Sequence, residues 1–348
     1  MANKLNWLLV FVPVAVTLHI LDLPGVYIFV ASALAIIPLA GLMGQGTEHL
    51  SAKTGPGLGA LINATFGNAT ELIISILALR QGYIEIVRAS ISGAVIGNVL
   101  FVSGAALVVA GIKKKEIAFN PQAVGMATAL LCLASIAMVM PALLKYTAPS
   151  IADHQLDVLS LAVCVVLISC YVGYLYFCLK THRHMFDAEE EEGHEEGWRT
   201  GKALTVLLVS TAVLAVVAEI LVDSIEHVAE TWGFSNAFMG VFLLAMMGNA
   251  AEFGSVMTAA FKGKISLALQ LAVGSSAQIV LLVMPLLVFL SFLWSPMNLG
   301  FDSFQIAAVV ISVGMLKILL IDGKSHWMEG VLLIGIYFIL GIAFYFHP

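Results

Sequence analysis

The sequence predicts an all-α membrane protein of about eleven transmembrane helices, built from one extra N-terminal helix and two inverted five-helix repeats. Three observations lead to this fold class. Hydrophobic residues make up 60% of the 348-residue chain and charged residues only 11%, with a mean hydropathy of +1.00. The apolar runs have the length of membrane helices, and they do not alternate as barrel strands do. One short motif, GNATEL at 67–72, returns as GNAAEF at 248–253.

The predicted helices follow the apolar runs, at about 20 residues for each crossing of the bilayer. The first run could be a signal peptide, but no small-residue cleavage site follows it, so we interpret it as a retained helix. The third is long enough to tilt or to be broken in its middle. The eleven ranges are 4–21, 24–47, 56–81, 84–111, 119–144, 153–180, 201–231, 235–261, 264–292, 301–321 and 325–346.

Positive charges orient these helices. Thirteen of the sixteen lysines and arginines fall on the N-terminal side of the predicted topology, and only Arg80, Arg88 and Lys145 fall on the other. Because cytoplasmic loops are rich in lysine and arginine, we expect the N-terminus in the cytoplasm and the C-terminus outside. A missed or wrongly added helix would have mixed the positive charges of the two sides, so the asymmetry also favours a count of eleven helices.

The chain divides into four parts. Residues 1–22 form the extra helix, 23–182 the first repeat, 183–200 an acidic cytoplasmic linker, and 201–348 the second repeat. The linker is either a solvated connection or a weak cation-sensing segment, and it lacks the residue pattern of an EF-hand loop. Its candidate regulatory residues are Glu189, Glu190, Glu191, Glu192, Glu195 and Glu196. The four cysteines lie in or beside apolar runs without a C-x-x-C, and we interpret them as small apolar fillers.

The repeated motif places one glutamate in the middle of each of two helices. Glu71 lies on the third predicted helix and Glu252 on the eighth, so the two helices cross the membrane in opposite directions. Inverted repeats of this kind are typical of secondary transporters, whose substrate site lies near the midplane where the repeats meet. An acid at the bilayer centre costs about 2.5 kcal/mol or more. No basic residue lies mid-span beside them, so the sequence indicates a mobile cation or proton as the partner, and the alternative is a permanently protonated pair.

The candidate ligands are all oxygens. Asn68 and Asn249 precede the two glutamates by three residues, which puts each pair on one helix face. Flexible sites with many oxygens suit Ca²⁺ better than Zn²⁺ or Cu²⁺. We therefore predict Glu71, Glu252, Asn68 and Asn249 as metal ligands. The supporting polar residues are Asn98, Gln278, Thr70, Ser255, Ser275 and Ser276.

A second group of acids lies on the seventh predicted helix. Glu219, Asp223, Glu226 and Glu230 follow one another at spacings of 4, 3 and 4, which places them on one stripe. We interpret Glu219 and Asp223 as a cation path or proton relay, and Glu230 as a solvated helix end. Glu48 is the counterpart of Glu226 at the end of the second helix. His49 and His227 follow these two acids directly, either to share their protons or as simple hydrogen-bond partners.

At these residues the chain resembles the Ca²⁺/H⁺ antiporters, the cation exchanger (CAX) family of the calcium/cation antiporter superfamily. The paired GNATE and GNAAE motifs, VGSSAQIVLLVMP at 273–285, the acidic linker and the eleven-helix layout carry the resemblance over nearly the whole chain. It implies that Glu71 and Glu252 bind Ca²⁺, that access alternates, and that Ca²⁺ leaves the cytoplasm against protons. The resemblance to the related Na⁺/Ca²⁺ exchangers is weaker, since these favour G-T-S-x-P-E repeats and this chain has asparagine for the threonine and no proline.

The sequence thus predicts a secondary transporter in a prokaryotic plasma membrane, with Ca²⁺ and H⁺ as transported ions, no cofactor, no nucleic-acid partner and a homo-oligomer as an option. The charge of two glutamates matches one Ca²⁺ or two protons. Coupling to Na⁺ or K⁺, or transport of Mn²⁺, is the alternative within this class, and a passive cation channel is the alternative outside it. The sequence has no repeated pore loop, no H-E-x-x-H and no nucleotide motif, which disfavours a channel and an enzyme.

Overall fold

The computed structural model describes residues 6–54, 56–112, 114–182 and 198–347, and nearly all of them are helical. The acidic residues from Glu189 to Glu196 lie outside these described residues. We number the helices α1 to α14. In the first half they are α1 (Asn6–Ile20), α2 (Gly25–Thr54), α3 (Pro56–Phe66), α4 (Ala69–Arg80), α5 (Ile84–Gly111), α6 (Pro121–Thr147) and α7 (Asp153–Thr181). In the second half they are α8 (Thr200–Asp223), α9 (Ile225–Trp232), α10 (Asn236–Gly248), α11 (Ala250–Phe261), α12 (Ile265–Ser291), α13 (Ser303–Leu319) and α14 (Trp327–Phe346).

Seven helices of the described residues are long and apolar enough to cross a membrane, and the bent pair of α10 and α11 makes an eighth if it counts as one span. Helices α1 and α13 are apolar but shorter. Every predicted range corresponds to helix in the structure. By length and composition the described helices supply seven candidate membrane spans, or eight with the bent pair, and the number eleven and the repeat arrangement stay predictions.

Both motif helices are broken at the motif itself. Helix α3 ends at Phe66 and α4 begins at Ala69, while α10 ends at Gly248 and α11 begins at Ala250, with a bend of 56°. A break inside the bilayer is tolerated only where protein or a cavity surrounds it, because the freed backbone groups need partners. Tilting and a break are the two alternatives for residues 56–81, and the structure has the break, with a second one at the same place in the other motif.

Helices α5 and α12 form the centre of the molecule, because 67% of the most apolar 18-residue segment of each helix is buried. Each contains one π-helical turn, at Gly97–Val102 and at Ile279–Val283. Such turns widen a helix locally and occur often at functional sites. By contrast, only 22% of the corresponding 18-residue segment of α7 is buried. The large exposed apolar side chains of α7 suit contact with lipid.

The predicted helix over 201–231 is two helices in the structure. Helix α8 ends at Asp223 and α9 begins at Ile225. Ser224 lies between them, and its hydroxyl donates a hydrogen bond of 2.7 Å to the Leu221 carbonyl oxygen. A serine that binds a carbonyl of the preceding turn competes with the helical hydrogen bonds. Ser210 makes a similar bond to Leu207 inside the unbroken α8, so the Ser224 bond accompanies the interruption without explaining it alone.

A two-stranded antiparallel pairing links the loops that precede α6 and α14. Strand β1 (Ile117–Ala118) pairs with β2 (Lys324–Ser325), with Ile117 opposite Ser325. Beside it the Lys324 Nζ atom lies 2.8 Å from the Glu116 Oε1 atom, and this hydrogen bond raises the pKa of the lysine. The pairing joins a loop of the first predicted repeat to a loop of the second.

Candidate cation site

Glu71 and Glu252 each lie in the first turn of the helix that follows the break, α4 and α11 respectively. The Glu71 side chain is buried, and neither of its carboxylate oxygens has a hydrogen-bond partner. One oxygen of Glu252 is buried without a partner as well. Gly248, which begins the second motif four residues before Glu252, lies against the Glu71 side chain. The structure therefore brings the two predicted acids into one buried region.

The asparagines of the two motifs bind across the molecule. The Asn68 Nδ2 atom donates to Gln278 Oε1 at 2.8 Å, which joins α12 to the break between α3 and α4. The Asn249 Nδ2 atom donates to the Ala94 carbonyl oxygen of α5 at 3.1 Å. Each predicted repeat thus anchors the motif asparagine of the other.

Asn98 and Gln278 lie at the π-helical turns of the two central helices. Asn98 Nδ2 donates to Ser275 Oγ at 3.4 Å, and its main-chain carbonyl accepts a bond of 2.9 Å from Ser103 Oγ. The amide oxygens Oδ1 of Asn98 and Asn249 are buried without a partner. With the carboxylate oxygens they supply both charged and neutral ligands, the combination that Ca²⁺ prefers.

Gly248 leaves the space that the Glu71 side chain occupies. A Cβ atom at Gly248 would lie 2.9 Å from Glu71 Cγ and 3.3 Å from Glu71 Oε1. A side chain there would displace the carboxylate. The first glycine of the second motif therefore shapes the surroundings of the glutamate of the first motif, a contact that the sequence alone did not predict.

The other predicted supporting residues have different environments. Thr70 is buried beside Glu71, and Ser275 accepts the bond from Asn98. The Ser276 hydroxyl is used by its own helix, since it donates to the Ala272 carbonyl oxygen at 3.2 Å. Ser255 is exposed on α11, one turn beyond Glu252.

The acids of α8 and α9 lie apart from these buried oxygens, and Glu219, Asp223, Glu226 and Glu230 are all exposed. The turn between α4 and α5 rests on two of them. The Gln81 side-chain amide donates to Asp223, and the Tyr83 hydroxyl donates to Glu226 Oε2 at 3.4 Å. Burial, followed by the negative charge of Glu226, raises the pKa of Tyr83. The stripe therefore has hydrogen-bond partners that the sequence did not predict.

The residues that follow Glu48 and Glu226 do not pair with them in the structure. Glu48 is exposed near the end of α2, and the His49 ring lies against Trp198 with a centroid distance of 4.8 Å. The His227 ring packs against Gly25 at the start of α2. Helix-end packing is the environment of both histidines.

Within the described residues no three side chains of histidine, cysteine, aspartate or glutamate form a metal-binding group. The buried donors are instead two carboxylates and several amide oxygens. A hard cation such as Ca²⁺ accepts this oxygen set, whereas Zn²⁺ and Cu²⁺ prefer nitrogen or sulfur.

The broken helices, the π-helical turns and the buried oxygens together define a membrane transport protein with a polar centre. The chain belongs to the sodium/calcium exchanger protein family, which matches residues 24–180 and 202–346. It is 40% identical over 357 residues to the Ca²⁺/H⁺ antiporter of Aphanothece halophytica, covering 98% of this chain and 96% of that protein. Both motif glutamates lie within the residues that the family matches.

Two further comparisons agree. The chain is 39% identical over 351 residues to the Ca²⁺/H⁺ antiporter ChaA of Bacillus subtilis, covering 99% of each protein. The solved structure of native YfkE superposes with a TM-score of 0.86 at 35% identity, covering 99% of each chain. These relatives confirm the resemblance to the Ca²⁺/H⁺ antiporters that the paired motifs carry.

Proposed function

We propose that this chain exchanges cytoplasmic Ca²⁺ for external H⁺ across the plasma membrane by alternating access to a site made by Glu71 and Glu252. One observation carries the proposal: three carboxylate oxygens of these residues are buried without a hydrogen-bond partner in the described structure. A carboxylate is not left so in an apolar interior unless a cation or a proton satisfies it. The names of the relatives support Ca²⁺ and H⁺ as those ions.

The charge of the site supports an exchange. Two carboxylates balance one Ca²⁺ or two protons, and the two loads exclude each other. Asn68, Asn249, Asn98 and Gln278 would supply or orient neutral oxygens around the ion. Thr70 and Ser275 would complete the polar surroundings, and the exposed acids of α8 would guide ions at one membrane face.

We further propose that the chain has eleven transmembrane helices, with two inverted repeats at 23–182 and 201–348 and a cytoplasmic N-terminus. Two features support this arrangement. Both motif helices break at the motif, and the last residues of α4 and α11 are each followed two positions later by a glycine with positive φ, Gly82 at 84° and Gly263 at 77°. The segment 183–200 would connect the repeats in the cytoplasm, and a cation-sensing role of its glutamates stays a prediction.

Ca²⁺ flux in proteoliposomes tests the proposed function. An imposed pH gradient, with Na⁺ absent, should drive Ca²⁺ uptake against its own gradient. Dissipation of the pH gradient with a proton ionophore is the control and should abolish uptake. Uptake driven only by a Na⁺ or K⁺ gradient would replace proton coupling with the alternative, and passive flux with single-channel currents would replace the antiporter with a channel.

A further inference from the structure

We propose that Thr47 and Ser51 of α2 line the passage through which the cation moves between Glu252 and one face of the protein. This is the lysine-rich face, the predicted cytoplasmic side with thirteen of the sixteen lysines and arginines. The inference rests on the proposed function and extends it to two residues outside the repeated motifs. The two hydroxyls would contact the ion, or the water that it carries, on its way to and from the carboxylates.

The first observation is that both hydroxyls lack a partner. Thr47 is only 1% exposed, and neither its Oγ1 atom nor the Ser51 Oγ atom has a hydrogen bond in the described structure. Helix hydroxyls usually donate to a carbonyl one turn earlier. In this chain Thr54 does so with Leu50, and Thr258 does so with Gly254. Because a buried hydroxyl without a partner is costly, a polar species in transit is the natural partner for Thr47 and Ser51.

The second observation is their position next to the second motif. A Cβ atom at Gly44 would lie 3.6 Å from the Ala251 Cβ atom, so α2 meets α11 directly beside Glu252. Thr47 follows Gly44 by three residues and Ser51 by seven, which keeps both on the face that meets α11. Ser255 lies four residues after Ala251 on α11 and is exposed. The hydroxyls of the two helices therefore continue from Glu252 toward one membrane face.

The third observation is that α3 packs against the same part of α2. A Cβ atom at Gly59 would lie 3.2 Å from the Ser51 main-chain carbonyl carbon. Thr47 and Ser51 thus lie where α2 contacts both α3 and α11. In the predicted topology, α3 and α11 are the halves of the two broken helices on the lysine-rich side. A shift of either α3 or α11 relative to α2 would loosen or tighten the packing around the two hydroxyls.

Neutral hydroxyls suit a path along which the ion passes better than a site that binds it tightly. Oxygen atoms are acceptable ligands of Ca²⁺, but without charge they hold the ion weakly. A conducting path must bind well enough for the ion to enter and weakly enough for it to leave. Further carboxylates at these positions would trap a divalent cation before it reached Glu252, whereas apolar side chains would repel it.

Aqueous labelling tests the passage without reference to transport. In a variant whose four native cysteines are replaced, we expect Thr47→Cys and Ser51→Cys to react with a charged, membrane-impermeant methanethiosulfonate reagent added at the lysine-rich face. Ser32→Cys is the matched control. Ser32 is also buried without a partner on α2, but it lies fifteen residues earlier, about 22 Å along the helix. Absence of labelling at both 47 and 51, or equal labelling at 32, overturns the proposal.

Flux measurements supply the second arm. Thr47→Val keeps the shape and removes the hydroxyl, and we expect it to slow Ca²⁺ exchange about tenfold, since one hydrogen bond or ligand contact to the moving ion is lost. The equilibrium affinity for Ca²⁺ should be unchanged, and Thr47→Ser should restore the rate. A loss of affinity in Thr47→Val would make Thr47 part of the binding site itself and overturn the transit role. If the unmodified protein shows no proton-driven flux while the labelling pattern holds, the proposed function fails and the passage remains.

Discussion

The Asn68 Nδ2 atom lies 2.8 Å from the Gln278 Oε1 atom, and this hydrogen bond joins the break of the first motif helix to the π-helical turn of α12. The two residues are 210 positions apart in the chain. The bond holds the two side-chain amides together, and it directs the Gln278 Oε1 atom toward Asn68. Coupling between the halves of the molecule therefore reaches the ligands directly.

The coupling of these two amides can be measured. We expect Asn68→Leu and Gln278→Leu each to weaken Ca²⁺ binding. The double variant should lose less binding free energy than the two single variants together, by about 0.5–1.5 kcal/mol, because the first change already removes the shared bond. Calcium titration by calorimetry on the four proteins of the cycle gives the value. Strict additivity would mean that the bond does not organise the site.

Neutralising either motif glutamate should abolish transport. Glu71→Gln and Glu252→Gln keep the side-chain volume but remove one of the two charges that balance Ca²⁺, so radioactive Ca²⁺ uptake into inverted vesicles under a pH gradient should fall to background. Glu230→Gln is the control, since that exposed helix-end residue lies apart from the buried oxygens. Near-normal uptake in either motif variant would remove the site assignment.

Gly248→Ala should damage the site through Glu71. The added Cβ atom would approach Glu71 Cγ to 2.9 Å and must push the carboxylate away. A displaced charged ligand costs about 1.5 kcal/mol or more, so Ca²⁺ binding should weaken at least tenfold. Gly254→Ala on α11 is the matched control, because a Cβ there meets nothing within 4 Å. Equal effects of the two alanines would contradict the contact.

Calcium affinity should fall as the pH falls. Protons and Ca²⁺ compete for the carboxylates of Glu71 and Glu252, and metal ligands must be deprotonated. On the acid side, where both must lose a proton, we expect the apparent Kd to rise by up to about two decades for each pH unit. The slope should drop to about one decade in Glu252→Gln if that variant still binds. An affinity that does not depend on pH would exclude a shared site for the two ions.

Arg88 should matter for stability more than for transport. Its guanidinium is buried at the start of α5, donates to the Asn298 carbonyl oxygen at 3.0 Å and to Asn298 Oδ1 at 2.6 Å, and contacts the exposed Glu85. Arg88→Met removes the donor to the Asn298 carbonyl oxygen and leaves Asn298 Oδ1 with only the bond from the Gly300 N–H, which should cost about 2 kcal/mol. Thermal unfolding in detergent measures the change, with the exposed Arg80→Met as the control expected to shift the Tm little.

Part of this structure was predictable from local sequence. The apolar runs gave the helix ranges, and the repeated motif identified Glu71 and Glu252 as a pair because two acids in the same context at corresponding depths are improbable by accident. The division of residues 201–231 was not predictable, since the apolar period continues through Ser224. The hydrogen bond from Asn249 to the Ala94 carbonyl oxygen was not predictable either, because it depends on main-chain geometry beside a π-helical turn rather than on a side-chain pattern.

The position of both glutamates in the first turn of a helix has a consequence for leakage. The start of a helix carries about half a positive charge, so the starts of α4 and α11 together offset about one of the two negative charges of an empty, deprotonated site. An unloaded carrier would still have to reorient with about one uncompensated negative charge inside hydrocarbon. That residual charge is a barrier to slippage: it makes futile reorientation rare and keeps the stoichiometric link between the two ion gradients tight.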